Sequence, residues 1–477
     1  MASSADSRRL LAGLAATALV ALANYFGTGL QPLPWLTWLA PLPLALLAPH
    51  LKARWLALAA FAAGVLGALN QWHFLHGVIR LPLPVIVMAT LLPGVLLALC
   101  LLLFRRLLLR GRGIAAALAM PALWVAVEYL NTQTSPHGTI GNLAYNQMDM
   151  LPVLQLASVT GLWGISFMLL LVPGLLAVAL IRRTASRTRL AAVGILLLSM
   201  GATLAYGYAR LSAPATGSIK IGLASMEKPI RPALSAPEGQ ALLDRYLASI
   251  DRLAGAGATV IVTPETSFAT SENTVPAFAQ AAHQHGLILA AGIDAKGGAD
   301  GERNAQWVFR PDLQSPATYA KHHLIPGFED QYKPAVTYTM LDGAPRIGLA
   351  ICKDMDFHDI GRAYAERQAQ LLLVPAWDFG ADGWLHGRMA IMRGVESGFA
   401  FARAARAGRL TLSDDRGRVV AEASSEQHDA ELVGELPLHA SRTFYGQWGD
   451  WFVWVDLALL AMLLVWAFVV PPRSSST

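Results

Sequence analysis

Residues 1–211 alternate between long apolar runs and short polar or basic breaks. A helix needs about 20 mostly apolar residues to cross the hydrocarbon of a bilayer. Runs at 9–27, 33–49, 53–70, 82–104, 113–130, 152–181 and 190–208 approach or exceed that length, and one more follows at 452–470. The pattern predicts a bundle of about eight spans. The first run reads as a span and not as a cleaved leader, because further apolar runs follow at once and no small-residue cleavage site precedes a polar domain.

Between these blocks the period changes. After a small-residue linker, SAPATGS at 212–218, short β-rich runs alternate with amphipathic ones. Strands are expected at 219–225, 258–266, 287–294, in QWVFRPD and ATYAKHHLI, at 346–354 and at 370–377. Helices are expected at 237–255, 275–285, 358–368 and 385–399. Paired strands with a turn at Asp414–Gly417 should follow. Such alternation argues for a layered α/β domain. The expected organisation is 1–211 as a seven-span bundle, 212–450 as the α/β domain, and 451–477 as a final span with a short tail.

Composition agrees with this division. The chain is 54% hydrophobic and 14% charged, against about 25% charged in soluble domains. Arg8 and Arg9, Lys52 and Arg54, Arg105 to Arg112, Arg182 to Arg189, and Arg473 flank the apolar runs. If every boundary is crossed once, all five groups fall on one side. The positive-inside rule makes that side the cytoplasm and puts 212–450 outside, facing the periplasm of a two-membrane bacterium. The net charge of +5 thus reflects orientation, and no basic aromatic stripe points to nucleic acid. Cys100 lies in an apolar run and Cys352 in the polar domain, so no disulfide is expected. His322 and His323 are adjacent, without metal-ligand spacing, and no nucleotide-binding glycine pattern occurs, so neither metal nor cofactor is expected.

Three polar residues stand where strands should end: Glu265 after VIVTP, Lys321 in TYAKHH, and Cys352 after RIGLAI. Taken singly, a Glu after a strand is usually solvated, a lone Lys is usually on the surface, and a Cys in an apolar strand is usually a small core residue. Together they offer a nucleophile, a base and a cation. A thiol needs a base to become a thiolate, and a tetrahedral oxyanion needs an ammonium or a backbone N–H beside it. Glu128, near the outer end of the fifth run, reads either as a site-lining carboxylate or as an interfacial acid with a hydrogen-bonded partner.

TPET, YAKHHLIPGFE and GLAICKD resemble the Glu–Lys–Cys signature of the carbon–nitrogen hydrolase, or nitrilase, superfamily. That resemblance implies an αββα sandwich for the polar domain. It also implies a supporting role for Glu329, eight positions after the lysine, and an oxyanion contact from the Lys353 backbone N–H. WVAVEYLNTQTSPHGTIGNLAYNQ, LQLASVTGLWGISFMLLLVPGLLA and TFYGQWGDWFVW resemble the bacterial apolipoprotein N-acyltransferases, which covers nearly the entire chain. The resemblance implies a multi-pass inner-membrane enzyme with a phospholipid as acyl donor and a lipoprotein amine as acceptor; monomer is the default expectation for its oligomeric state. Acyl transfer would pass through an S-acyl cysteine. Trp377 in PAWDF resembles a tryptophan of the family, with a site-lining or a packing role. Asp354 is a further candidate for substrate contact.

The chain also departs from that family. Lys353 and Asp354 stand where an aromatic and Glu are usual, Val374–Pro375 replaces Asn-Asp, and the stretch after the first strand reads SMEKPIRPA. These changes leave room for another amine, or for water, as acceptor. A membrane-anchored amidase and a non-catalytic scaffold are the competing functions, and the intact Glu265, Lys321 and Cys352 argue against the scaffold.

Overall fold

The computed structural model describes residues 4–297 and 301–471. Arg473, expected beyond the last span, lies outside them. The chain divides into a helical unit (1–133, 141–209 and 450–477) and an α/β unit (134–140 and 210–449).

Among the described residues, seven helices are long and apolar enough to cross a membrane: Leu10–Gly27, Ala53–Gln71, Leu83–Leu109, Gly113–Thr134, Leu162–Leu180, Ser186–Ser212 and Trp451–Phe468. The run expected as a single span at 33–49 is instead two short helices, Pro34–Thr37 and Leu42–Leu47. Pro41 and Pro43 bring no N–H. The turns between 33 and 51 therefore mix three- and four-residue hydrogen bonds, such as Leu42 N–H to Leu39 O and Ala45 N–H to Pro41 O. The run at 152–181 is also interrupted, at Gly161, whose φ of +66° separates Ala157–Thr160 from Leu162–Leu180.

The direction of the helices follows from their end contacts. Asn70 Nδ2 donates to Tyr25 O and Thr28 O, both at 2.8 Å, so the first helix and Ala53–Ala68 end together and run parallel. The residues between 28 and 53 must therefore return along the length of the bundle. They finish at Leu51, whose carbonyl accepts from Arg105 Nε at 3.1 Å and which lines a cleft with Arg8. Arg106 Nε donates to Ala467 O at 2.6 Å, and Arg112 Nη2 to Pro471 O at 2.9 Å. Arg189 Nε donates to Ala179 O at 2.8 Å. Gly113 packs beside Val178, Thr184 and Thr188. Arg8, Arg105, Arg106, Arg112 and Arg189 thus gather at one end, where Arg106 and Arg189 also cover the last carbonyls of helices.

The α/β unit is built on two sheets. One seven-stranded sheet runs in the order Ala430–Leu438, Gly217–Ser225, Val260–Val262, Ile288–Ala295, Arg303–Phe309, Ala317–Ala320, with Phe268–Thr270 beside Ile288–Ala295. The second, six-stranded, runs Val419–Ser424, Arg409–Ser413, Ala400–Arg406, Leu371–Trp377, Ile347–Leu349, Met340–Leu341. Ile221, Val262, Leu349, Leu373 and Ala402 pack between the sheets. Helices Pro237–Gly255 and Pro276–His285 cover the first sheet through Tyr246, Ile250 and Phe278. On the second sheet, Tyr364 of His358–Glu366 donates to Leu349 O, and Gly383–Ser397 packs beside that helix. The result is the expected αββα sandwich. Ala430–Leu438 was not expected; it pairs antiparallel with Gly217–Ser225 through nine residue pairs.

Helices Ala53–Ala68 and Leu83–Leu109 meet at Gly64 and Gly94, where a Cβ on Gly64 would come within 2.6 Å of Gly94 Cα. Small residues let membrane helices approach this closely. A Gly94→Leu change should cost about 1–3 kcal/mol through overpacking, read as a lower thermal midpoint of the purified chain in detergent.

Candidate active site

Glu265, Lys321 and Cys352 each follow a strand. Val260–Val262 ends before Pro264, Ala317–Ala320 ends one residue before Lys321, and Ile347–Leu349 ends before Cys352. The backbone turns sharply there: Thr266 has φ +46° and Cys352 φ +44°, a region that non-glycine residues enter at a cost of about 1–3 kcal/mol. Gly292 permits the first turn, since a Cβ there would lie 2.5 Å from Glu265 Cα.

The side chains converge in a closed space. Lys321 Nζ donates to Glu265 Oε1 at 2.7 Å and to Glu329 Oε2 at 2.8 Å. All three residues are at most 3% exposed. Asn304 Nδ2 bridges Glu265 Oε1 and Glu329 Oε1, both at 2.6 Å, and Ile325 N–H donates to Glu329 Oε2. Cys352 Sγ lies 3.5 Å from Trp377 O.

Burial and charge set the protonation of these groups. Burial opposes the Lys321 charge, yet Glu265 and Glu329 together hold the ammonium well above its ordinary range. Burial raises the Glu265 carboxyl; Lys321 pulls it back and Glu329 adds to the rise, leaving it elevated. Glu329 is also raised by burial, but Lys321 and its hydrogen bonds bring it below the usual value. Burial, then the Glu265 charge, push the Cys352 thiol well up, against the pull of Lys321 and Arg403. The resting state is therefore a thiol beside a carboxylate able to take a proton and an ammonium able to meet a developing oxyanion.

Asp354 binds the pieces together. Its carboxylate accepts from Tyr319 Oη at 2.7 Å, His323 N–H at 2.9 Å, Ile351 N–H at 3.0 Å and His322 N–H at 3.1 Å. It ties the segment bearing Lys321 to the turn bearing Cys352. With those four donors it is a brace, fully buried, and its expected contact with substrate finds no free oxygen to make it.

Around this core lie residues that the sequence did not single out. Lys353 Nζ meets His137 Nδ1 at 3.2 Å. Burial, then the Lys353 charge, lower His137 to about 4, so a neutral imidazole accepts from the ammonium. Thr139 N–H and Oγ1 both donate to Asp356 O, at 2.9 and 2.7 Å. His386 sits 3.7 Å from Asp356 and 3.2 Å from Asp382. Arg403 pairs with Asp378 through two bonds, 2.9 and 2.5 Å. Glu128 belongs to the helical unit. Its carboxylate accepts from Trp124 Nε1 at 2.9 Å, Asn142 Nδ2 at 2.8 Å and Leu143 N–H at 2.7 Å, which matches the interfacial-acid reading.

Residues 15–175 match the family described as apolipoprotein N-acyltransferase N-terminal domain, and residues 223–445 match carbon–nitrogen hydrolase. Together the two matches take in most of the chain. An apolipoprotein N-acyltransferase of Geobacter metallireducens is 28% identical over 75% of this chain and 75% of its own length. One from Neisseria meningitidis serogroup B is 26% identical over 87% and 89%. Among solved structures, an amidase from Nesterenkonia sp. covers 47% of this chain and 94% of its own, at 24% identity and TM-score 0.41. Within the carbon–nitrogen hydrolase domain, Asn304 carried no sequence signal beyond a polar residue at the start of a strand. The His137 segment lies 85 residues before that domain's match begins, so no local pattern could have tied it to Lys353.

Replacing Asp354 with Ala would leave two buried donors, Tyr319 Oη and Ile351 N–H, without an acceptor, each worth about 1–3 kcal/mol, and two part-buried ones, the N–H groups of His322 and His323. Denaturant unfolding of the purified chain should show a loss of several kcal/mol, and Asp354→Asn a smaller one. A second outcome concerns pH. Burial lowers His386, but Asp356 and Asp382 outweigh it and raise it from 6.5 to about 9. A raised value means that the stabilisation is fully present below pH 6.5 and is lost as pH rises through 9. Melting temperatures of the full chain should fall across that window, and His386→Asn should flatten the fall.

Proposed function

We propose that this chain moves a fatty acyl group from a membrane phospholipid to the α-amine of diacylglyceryl-cysteine lipoproteins. Glu265 takes the proton of Cys352, and the thiolate adds to the ester carbonyl of the lipid. The oxyanion sits by Lys321 and the Lys353 N–H. Collapse expels a lysophospholipid, which receives the proton from Glu265, and leaves an S-acyl enzyme. The lipoprotein amine then attacks the thioester, Glu265 takes its proton, and the thiol is restored. The observation that carries this reading is the buried Glu265–Lys321–Glu329 cluster beside Cys352 in a chain of seven apolar helices. The names of the relatives supply the acceptor class.

The bundle crosses the bilayer eight times in this reading. The return of residues 28–53 along the bundle supports a crossing by the irregular 33–51 segment, and the shared end of Arg8, Arg105, Arg106, Arg112 and Arg189 supports a cytoplasmic placement of that end. The α/β unit then faces the periplasm of the inner membrane. Both substrates are lipid-anchored, which gives a reason for the thiol to be borne on a membrane chain. The protein is proposed to act as a monomer without metal or cofactor.

Incubation with radiolabelled phospholipid should place a hydroxylamine-sensitive acyl group on Cys352 and none on Cys352→Ala. Glu265→Gln should slow acylation about 10²–10⁴-fold, the usual weight of a general base. In cells lacking the chain, mass spectrometry should find diacylated lipoproteins with free amino termini. Labelling by small amides alone would make the chain an amidase.

A further inference from the structure

Trp377, whose carbonyl faces the Cys352 thiol, carries three cations around its ring. Lys228 Nζ, Arg231 Cζ and Arg406 Cζ lie 5.5, 5.9 and 4.5 Å from the ring centroid. Lys228 is 5% and Arg406 8% exposed. Lys228 Nζ donates to Thr266 O at 3.0 Å, one residue from Glu265. Arg406 Nη2 donates to Lys228 O at 2.5 Å and lies 3.6 Å from the half-exposed Glu227 carboxylate. Arg406 Nε and Nη1, and Arg231 Nε, are buried and have no hydrogen-bond partner among the described residues. Burial, then the charges of Arg406 and Arg231, lower Lys228 to about 7, and Glu227 and Glu265 only partly offset them.

Three crowded cations, two of them with buried unpaired N–H groups, are costly unless an anion meets them. A guanidinium with two open donors beside an ammonium suits the tetrahedral oxygens of a phosphate. We infer that Lys228, Arg231 and Arg406, set around Trp377, form a subsite for the phosphate of the glycerophospholipid acyl donor. This rests on the acyl-transfer reading. In a glycerophospholipid only the glycerol carbons separate the phosphate from the acyl esters. A headgroup held at Trp377 therefore leaves an ester close to the Cys352 thiol. Two of the three cations come from the SMEKPIRPA stretch after the first strand. Trp377 gains a role as the floor of the subsite, its ring screening the cations from one another.

The test uses the purified full chain in uncharged detergent and measures acylation of Cys352 by phosphatidylglycerol and by p-nitrophenyl palmitate, which has no phosphate. Losing one charged hydrogen-bonding partner is worth about a factor of ten or more. Lys228→Gln and Arg231→Gln should therefore each lower the ratio of kcat/KM for phosphatidylglycerol to that for the ester about tenfold, through KM. Inorganic phosphate should compete with phosphatidylglycerol on the unaltered chain and lose that effect in Arg231→Gln. An unchanged ratio, or an equal fall with both donors, overturns the subsite. If phosphatidylglycerol fails to acylate even the unaltered chain, the acyl-transfer reading fails. The subsite is then decided by alkylation of Cys352 with iodoacetamide, followed on its peptide by mass spectrometry. Protection by inorganic phosphate that Arg231→Gln abolishes retains it as a site for a free phosphate group, and lack of protection removes it.

Discussion

An ammonium buried between two carboxylates is the constraint around which the α/β unit is arranged. Lys321, Glu265 and Glu329 are almost wholly removed from solvent, and each would be costly there alone. The cluster therefore holds only if all three arrive in register, with Asn304 filling the gap between the acids. Three strand ends and one loop must be placed to within tenths of an ångström. Asp354, the left-handed turns at Thr266 and Cys352, and the close approach of Gly292 to Glu265 all serve that placement. The same coupling fixes the chemistry. Burial and the Glu265 charge beside the sulfur favour the protonated thiol at rest.

The sequence made the sandwich and the meeting of Glu265 with Lys321 legible because each depends on local pattern. VIVTPE, TYAKHH and RIGLAIC are runs that stop at a polar residue, and such a stop marks the end of a strand. Glu329 was legible only through resemblance, since nothing in PGFED distinguishes its Glu from a solvated one. Asn304 and His137 were not legible. Their partners are 39 and 216 residues away, and such pairings are made by tertiary packing. Asp354 was visible as a position but its role was misjudged. A carboxylate next to a candidate nucleophile suggests substrate, whereas here three backbone N–H groups and the Tyr319 hydroxyl occupy it. The cations of EKPIRP were visible as well, but their meeting with Arg406 at one indole ring was not, because the third partner lies 175 positions on.

In the helical unit, hydropathy found the spans and proline decided their form. The 33–49 run has the composition of a span, yet prolines at 34, 41, 43 and 49 deny it a continuous set of backbone bonds. Its helical turns persist with a mixed period, and the charges at its ends identify its direction better than its helicity does. By donating to the carbonyls of Leu51, Ala179, Ala467 and Pro471 the arginines pin helix ends to neighbouring helices.

The membership of residues 134–140 in the α/β unit bears on how this protein can be dissected. A soluble fragment cut at 210 and 449 would contain every member of the triad and both sheets, yet it would lack His137, Gly138 and Thr139. The Asp356 carbonyl would lose both of its donors, and the amine next to the nucleophile would lose its imidazole. Circular permutation or fusion of that short loop would be needed to restore a whole globule, so the hydrolase-like portion is not a detachable cassette despite its sequence continuity.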